Sequence, residues 1–248
     1  MDKNVVPGML VYQQIVQARY NRRPLLALLL DPDKSAQPPK IAVQAAELGV
    51  SMVLVGGSSV QADMCCYVSA LRQATQLPVV LFPGDWAQFT PHADALLMPV
   101  LVSGRNPEYL IGQHVKAAVA IKASGMEVMP TGYMLIDGGK ITAVQRVSQT
   151  TPIAPMDVEL AVSTALAAEL MGLRLVYLEA GSGAHNPVPV SMISAVRSAV
   201  ELPLVVGGGI RSVEQLSAAL NAGADMVVLG NSIEANPEFL HQAANFFR

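Results

Sequence analysis

Three features predict an α/β protein, a modified (β/α)8 TIM barrel with the third helix missing or replaced by an irregular segment. Apolar runs alternate with helix-period segments from end to end, the length of 248 residues suits one such barrel, and two strand–glycine–helix turns follow each other near the C-terminus. Residues 1–248 read as a single domain, without a low-complexity linker or a strict repeat. Apolar residues make up 52% and charged residues 14%, as expected for parallel strands covered on both faces.

Met9–Tyr20 reads as an introductory helix, and Leu25–Leu30, an unbroken apolar run, as the first strand. The turn Asp31-Pro32-Asp33-Lys34 leads to a helix over Pro39–Leu48, then a second strand over Ser51–Val55, Gly56-Gly57-Ser58-Ser59 and a helix ending near Ala74. Pro78–Phe82 and Ala95–Met98 are strands three and four. Between them Pro83–Asp94, with two prolines, a glycine and the lone Trp86, is too short for an ordinary covering helix and its loops. Asn106–Ala123 is a long helix, Glu127–Ile136 the fifth strand, and Asp137-Gly138-Gly139-Lys140 reads as the turn of an added hairpin. The remaining units are a helix over Pro155–Met171, strand Leu173–Leu178, helix Pro189–Val200, strand Leu202–Val206, helix Val213–Ala222, strand Met226–Leu229 and a closing helix Pro237–Phe247.

Chemistry is expected where the strands end, because a barrel of this kind carries its active face there. Val205–Ser212 runs from an apolar strand through Gly207, Gly208 and Gly209 into a helix start, and Asp225–Ser232 repeats the pattern through Gly230 and Asn231. Bare glycine amides and the positive end of a helix close on an anion, so the two turns predict a phosphate cup. In Tyr177-Leu178-Glu179-Ala180-Gly181-Ser182-Gly183 the two-residue strand period puts Tyr177 and Glu179 on one face, towards the barrel mouth, and Leu178 on the other. A carboxylate there suits a general base or a ligand for a substrate hydroxyl. Asp31 and Asp33 follow strand one: either could hold magnesium beside bound phosphates, and Asp33 could instead cap the next helix. Ser58 is divided in the same way between a helix cap and a metal or phosphate ligand.

Other signals narrow the field. A net charge of −3 gives no electrostatic basis for binding nucleic acid. The adjacent Cys65 and Cys66 have no partners for a thiolate metal site and fit a reducing compartment; the four histidines lack metal spacing, and only His185 falls on an active-face loop. Met1-Asp2-Lys3-Asn4 carries no signal pattern and no apolar run is long enough to span a bilayer, so a cytoplasmic protein is expected. The light surface charge and Trp86 predict a homo-oligomer.

The set DPDK (Asp31–Lys34), VGGSS (Val55–Ser59), YLEAGSGA (Tyr177–Ala184), VGGGIRS (Val206–Ser212) and GNSIE (Gly230–Glu234) resembles the geranylgeranylglyceryl phosphate synthase family, also called PcrB-like, over nearly the whole chain. Leu29 stands where some members have a lysine, so the chain resembles the second group of that family. The resemblance implies a barrel lacking its third helix and transfer of a prenyl group, geranylgeranyl foremost, from its diphosphate to sn-glycerol 1-phosphate. It further implies a Mg2+ cofactor at Asp31 and Ser58. Tyr177, Leu178, Glu179, Ala180, Gly181, Ser182, Gly183, Gly208, Gly209, Gly230 and Asn231 match its glycerol phosphate site, with Glu179 and Tyr177 as catalytic groups. A dimer or hexamer, and peripheral membrane contact through the lipid substrate, go with it. Read from the residues alone, the alternatives are an isomerase or lyase on the same phosphate-binding barrel, or a non-catalytic phosphometabolite-binding barrel.

Overall fold

The computed structural model describes residues 10–35 and 37–247; Met9 and the N-terminal tetrapeptide lie outside the described residues. Eight parallel strands close into a barrel in sequence order, with β1 paired to both β2 and β8. They are β1 (Leu25–Leu30), β2 (Met52–Val55), β3 (Val79–Leu81), β4 (Ala95–Leu101), β5 (Glu127–Leu135), β6 (Leu175–Glu179), β7 (Leu204–Gly207) and β8 (Met226–Leu229). Alternation along each strand divides the core in two. Leu26, Leu28 and Leu30 of β1 face the helical shell, while Leu25 and Ala27 fill the barrel with Met52, Leu97, Met129 and Val205.

The shell comprises α2 (Pro38–Glu47), α3 (Met64–Ala74), α4 (Gln113–Ser124), α6 (Val158–Leu170), α7 (Val190–Ala199), α8 (Val213–Asn221) and α10 (Glu238–Ala244), with α1 (Val11–Tyr20) at the start and short α5 (Ala143–Ser148) and α9 (Asn231–Ala235) on loops. Side chains cap several of these: Asp63, Thr142, Asp157 and Ser212 each accept a backbone N–H from the first turn of α3, α5, α6 and α8. Between β3 and β4 there is only a 3-10 turn, Trp86–Gln88, in place of a helix. α1 packs Val11, Ile15 and Ala18 into the inner core, where burying Ile15 contributes roughly 1.5–3 kcal/mol. The Glu127 carboxylate, at the start of β5, accepts the N–H groups of Val11 (2.7 Å) and Tyr12 (3.1 Å), satisfying amides that a helix start leaves open. Also away from the mouth, Arg197 pairs with Asp225 at 2.9 Å, and Asp225 accepts the Leu204 N–H at 2.8 Å.

Three expectations need correction. No hairpin forms at 137–140: Ile136 bridges Ile153 in parallel, and α5 fills the loop between them, held by the Thr142 cap. The helix expected from Asn106 opens instead as a π-helical turn, Glu108–Gly112, before α4. Asp33 does not cap α2, whose N-cap Gln37 makes no side-chain bond; the Asp33 carboxylate instead accepts the N–H groups of Gln61 and Ala62, between β2 and α3.

Candidate active site

The strand ends open on a cavity of about 910 Å³. Its floor is aromatic because three inward strand positions converge: Phe82 stacks on Tyr177 at 5.2 Å between centroids, and Tyr133 meets both rings edge-on at 5.7 and 5.5 Å. Tyr177 and Glu179 face inward as the strand period predicts. Leu178 turns to the helical shell, away from the cavity, and Ala180 is fully buried beneath it. Burial raises the Glu179 carboxyl above the ordinary carboxylate range, against the Tyr177 hydroxyl and the Gly181 amide, which favour the charged form. The Gly181 N–H donates to Glu179 Oε1 at 2.7 Å. The Tyr177 hydroxyl is buried without a well-formed hydrogen bond, and burial together with the Glu179 charge holds Tyr177 well above the usual phenol range.

The glycine loops close on this carboxylate. Gly208 and Gly209 have φ of 78° and 71°, and a Cβ at Gly208 would lie 2.3 Å from Glu179 Oε1 and 2.6 Å from the Gly181 nitrogen, so only glycine fits. Ser182 donates to Asn231 Oδ1 at 2.8 Å, joining the loops after β6 and β8. Gly181, Ser182, Gly183, Gly208, Gly209, Gly230 and Asn231 all line the cavity; His185 does not.

At the ends of β1 and β2, Asp31 and Ser58 also line it. Asp31 Oδ2 holds Lys34 Nζ at 2.5 Å, and Oδ1 accepts the Asp33 N–H at 3.2 Å. Among the described residues no group of three His, Cys, Asp or Glu side chains gathers to hold a metal. The donors present are nevertheless oxygens, and a Cβ at Gly57 would stand 3.2 Å from both Asp31 carboxylate oxygens, so the bare backbone leaves a cradle beside them. That set fits a hard cation bound by one carboxylate and completed by water and substrate phosphate oxygens, not a preformed cage.

Sequence reading missed the cations Lys140, Arg146 and Arg211, which line the same cavity. Arg211 donates to the Ala184 carbonyl at 2.6 Å, beside the glycine loop. Lys140 and Arg146 belong to the α5 loop, which crosses the mouth from β5, with Ala143, Val144 and Val147 adding apolar lining. A rule that looks only just past each strand could find Arg211 in its turn but not residues of a loop that folds back.

The PcrB family model matches residues 15–245. The chain is 46% identical over 232 residues to the geranylgeranylglyceryl phosphate synthase of Flavobacterium johnsoniae, covering 92% of this chain and 96% of that one. Among solved structures it resembles the (S)-3-O-geranylgeranylglyceryl phosphate synthase of Thermoplasma acidophilum in complex with its substrate sn-glycerol-1-phosphate, with a TM-score of 0.91 and 34% identity over 96% of this chain and 98% of that one. The Thermoplasma volcanium enzyme gives a TM-score of 0.87 at 34% identity, over 96% of each chain.

Proposed function

The chain belongs to the PcrB family, and from that membership we propose that it is a prenyltransferase that joins a prenyl diphosphate, geranylgeranyl diphosphate foremost, to sn-glycerol 1-phosphate through an ether bond. The observation that carries the reading is the placing of Glu179: a buried carboxylate against a glycine cup, in a cavity that also presents cations and apolar surface. The cup takes the acceptor phosphate on backbone amides, with Arg211 adding charge. Lys34 and Arg146 supply positive charge for a second anion, the donor diphosphate, Lys140 Nζ stands beside Gly183 of the cup, and Leu29, Phe82, Leu101 and Val144 offer apolar surface to the prenyl chain.

The acceptor hydroxyl oxygen forms a bond to the first carbon of the prenyl chain while the bond from that carbon to the diphosphate oxygen breaks. The electron pair leaves with diphosphate, and the hydroxyl proton passes to Glu179. Burial keeps Glu179 a stronger base than an exposed carboxylate, and the aromatic floor presents π-faces near the carbon that becomes electron-poor. Asp31 and Ser58 would hold Mg2+, which supplies charge neutralisation to the departing diphosphate.

Residues 1–248 act as one domain in this reading. Self-association is supported by a stripe on the π turn and α4, Ile111, Val115 and Val119, exposed by 58%, 66% and 83%, and by the half-exposed Trp86; a dimer or a hexamer would cover it. No helix among the described residues is long and apolar enough to cross a membrane; the reading is of a cytoplasmic enzyme that touches the bilayer through its lipid substrate. The test is incubation with Mg2+, sn-glycerol 1-phosphate and a ladder of prenyl diphosphates, with products identified by mass. A prenyl ether of glycerol phosphate is expected. Absence of any ether product across the ladder would overturn the proposal.

A further inference from the structure

Gln88 is a polar side chain only 3% exposed, on the 3-10 turn that stands where the third helix is missing. Its amide bonds two loops at the mouth. Nε2 donates to the Gly57 carbonyl at 2.7 Å, and Oε1 accepts the N–H groups of Gly57 at 3.4 Å and Gly84 at 3.3 Å. The donor and acceptor roles agree only with this orientation of the amide. Gly57 is the residue whose bare backbone lies against the Asp31 carboxylate, and Ser58 follows it. Gly84 presses on the same peptide from behind: a Cβ there would lie 2.5 Å from the Gly57 oxygen and 2.8 Å from Ser58 Cα. Asp85 caps the turn by accepting the Ala87 N–H at 2.9 Å, and the Trp86 N–H, which donates to Gln113 of α4 at 2.8 Å, anchors it to the shell.

We infer that Gln88 is a positioning residue for the donor half of the site. Through its bonds to Gly57 it fixes the distance between the loop after β2 and the Asp31 carboxylate, and so the place where the prenyl diphosphate and its cation bind. Resting on the prenyltransferase reading, the inference gives the turn left between β3 and β4 a function: it carries a side chain that ties the loops after β2 and β3. Gln88 bonds Gly57 and Gly84 and makes no bond to the acceptor cup at the ends of β6, β7 and β8.

The test substitutes Gln88→Met, which keeps the length and removes the amide. Calorimetric binding of an unreactive thiolodiphosphate analogue of the prenyl donor, with Mg2+, is expected to weaken by roughly tenfold or more, whereas glycerol phosphate binding stays within about twofold of the parent, the scale seen when partners that orient ligating groups are lost. Steady-state kinetics should show the same split, a raised donor KM and Mg2+ requirement beside an unchanged acceptor KM. Gln88→Asn, with a shorter amide, should recover none of the loss. Equal weakening of donor and acceptor, or an unchanged donor affinity in a folded variant, overturns the inference. If Gln88→Met does not fold, Gly84→Ala displaces the same peptide with Gln88 intact and is read by the same two affinities. A parent protein that forms no ether product would refute the prenyltransferase reading, whereas an active parent with an unselective Gln88→Met variant would refute only the role of Gln88.

Discussion

Replacing Glu179 by Gln separates proton transfer from every other property of the site. Oε1 keeps its Gly181 N–H bond at 2.7 Å, and the shape is conserved. What is lost is the charge and the capacity to take a proton. Weakening one charge-assisted bond costs about 1 kcal/mol, but a carboxylate 7% exposed no longer has to be ionised inside the fold. The folded-state pKa lies above the ordinary value, so the native state holds more protons than the unfolded one between those two values. Stability contributed by Glu179 is therefore present below its unfolded pKa and falls as pH rises through the folded one; near neutrality the Gln variant should melt no lower than the parent. The limiting rate should nevertheless fall by roughly two orders of magnitude, about 2.7 kcal/mol of barrier, the lower end for a positioned general base. In the parent, activity should decline as pH drops through an acid limb lying above the usual carboxylate range, and in the variant that limb should vanish. The assay is the pH profile of kcat and kcat/KM at saturating prenyl donor, with melting temperatures alongside. An acid limb retained in the variant, or a change confined to the acceptor KM, would refute the assignment of Glu179 as base.

Asp31→Asn should abolish most turnover and leave glycerol phosphate binding nearly intact, because the Asp31 carboxylate bonds Lys34 and the Asp33 amide and makes no bond to the glycine cup; calorimetry with glycerol phosphate alone checks this, and a matching loss would place Asp31 wrongly. Gly208→Ala should lower both acceptor affinity and kcat, since its Cβ would fall 2.3 Å from Glu179 Oε1 at a φ of 78°; a purely affinity-based effect would mean that the loop yields without moving the carboxylate. Arg197→Ala leaves Asp225 without its ion-pair partner and should cost roughly 3 kcal/mol, a melting drop of roughly 6–12 °C, with kinetics unchanged where the protein stays folded.

Strands were legible where both faces are buried, since β1, β2, β7 and β8 are unbroken apolar runs. The fourth strand was read as Ala95–Met98, yet pairing to β5 continues through Pro99, Val100 and Leu101, a proline that the sheet accommodates. Glu179, Tyr177 and the glycine turns were legible because the two-residue period and the strand ends fix where they point. Gln88, Lys140 and Arg146 were not, because their position depends on loops that return across the mouth, which no local period encodes. Asp225 shows the converse: it opens a motif that ends in the cup, but it stands at the start of β8 and works with Arg197 in holding the barrel together.

The bond between Glu127 and α1 also constrains how the chain is made. It joins residues 116 positions apart, and β1 must wait still longer for β8. During synthesis from the N-terminus, α1 emerges with Val11, Ile15 and Ala18 uncovered, and nothing can seat them until the strand bearing Glu127 has left the ribosome. Closure of the barrel is thus a late, long-range event, and folding should be slow relative to a helical protein of the same length. α1 is made well before the strand that seats it, which marks it as a surface open to chaperones, or to neighbouring nascent chains, while the rest is being translated.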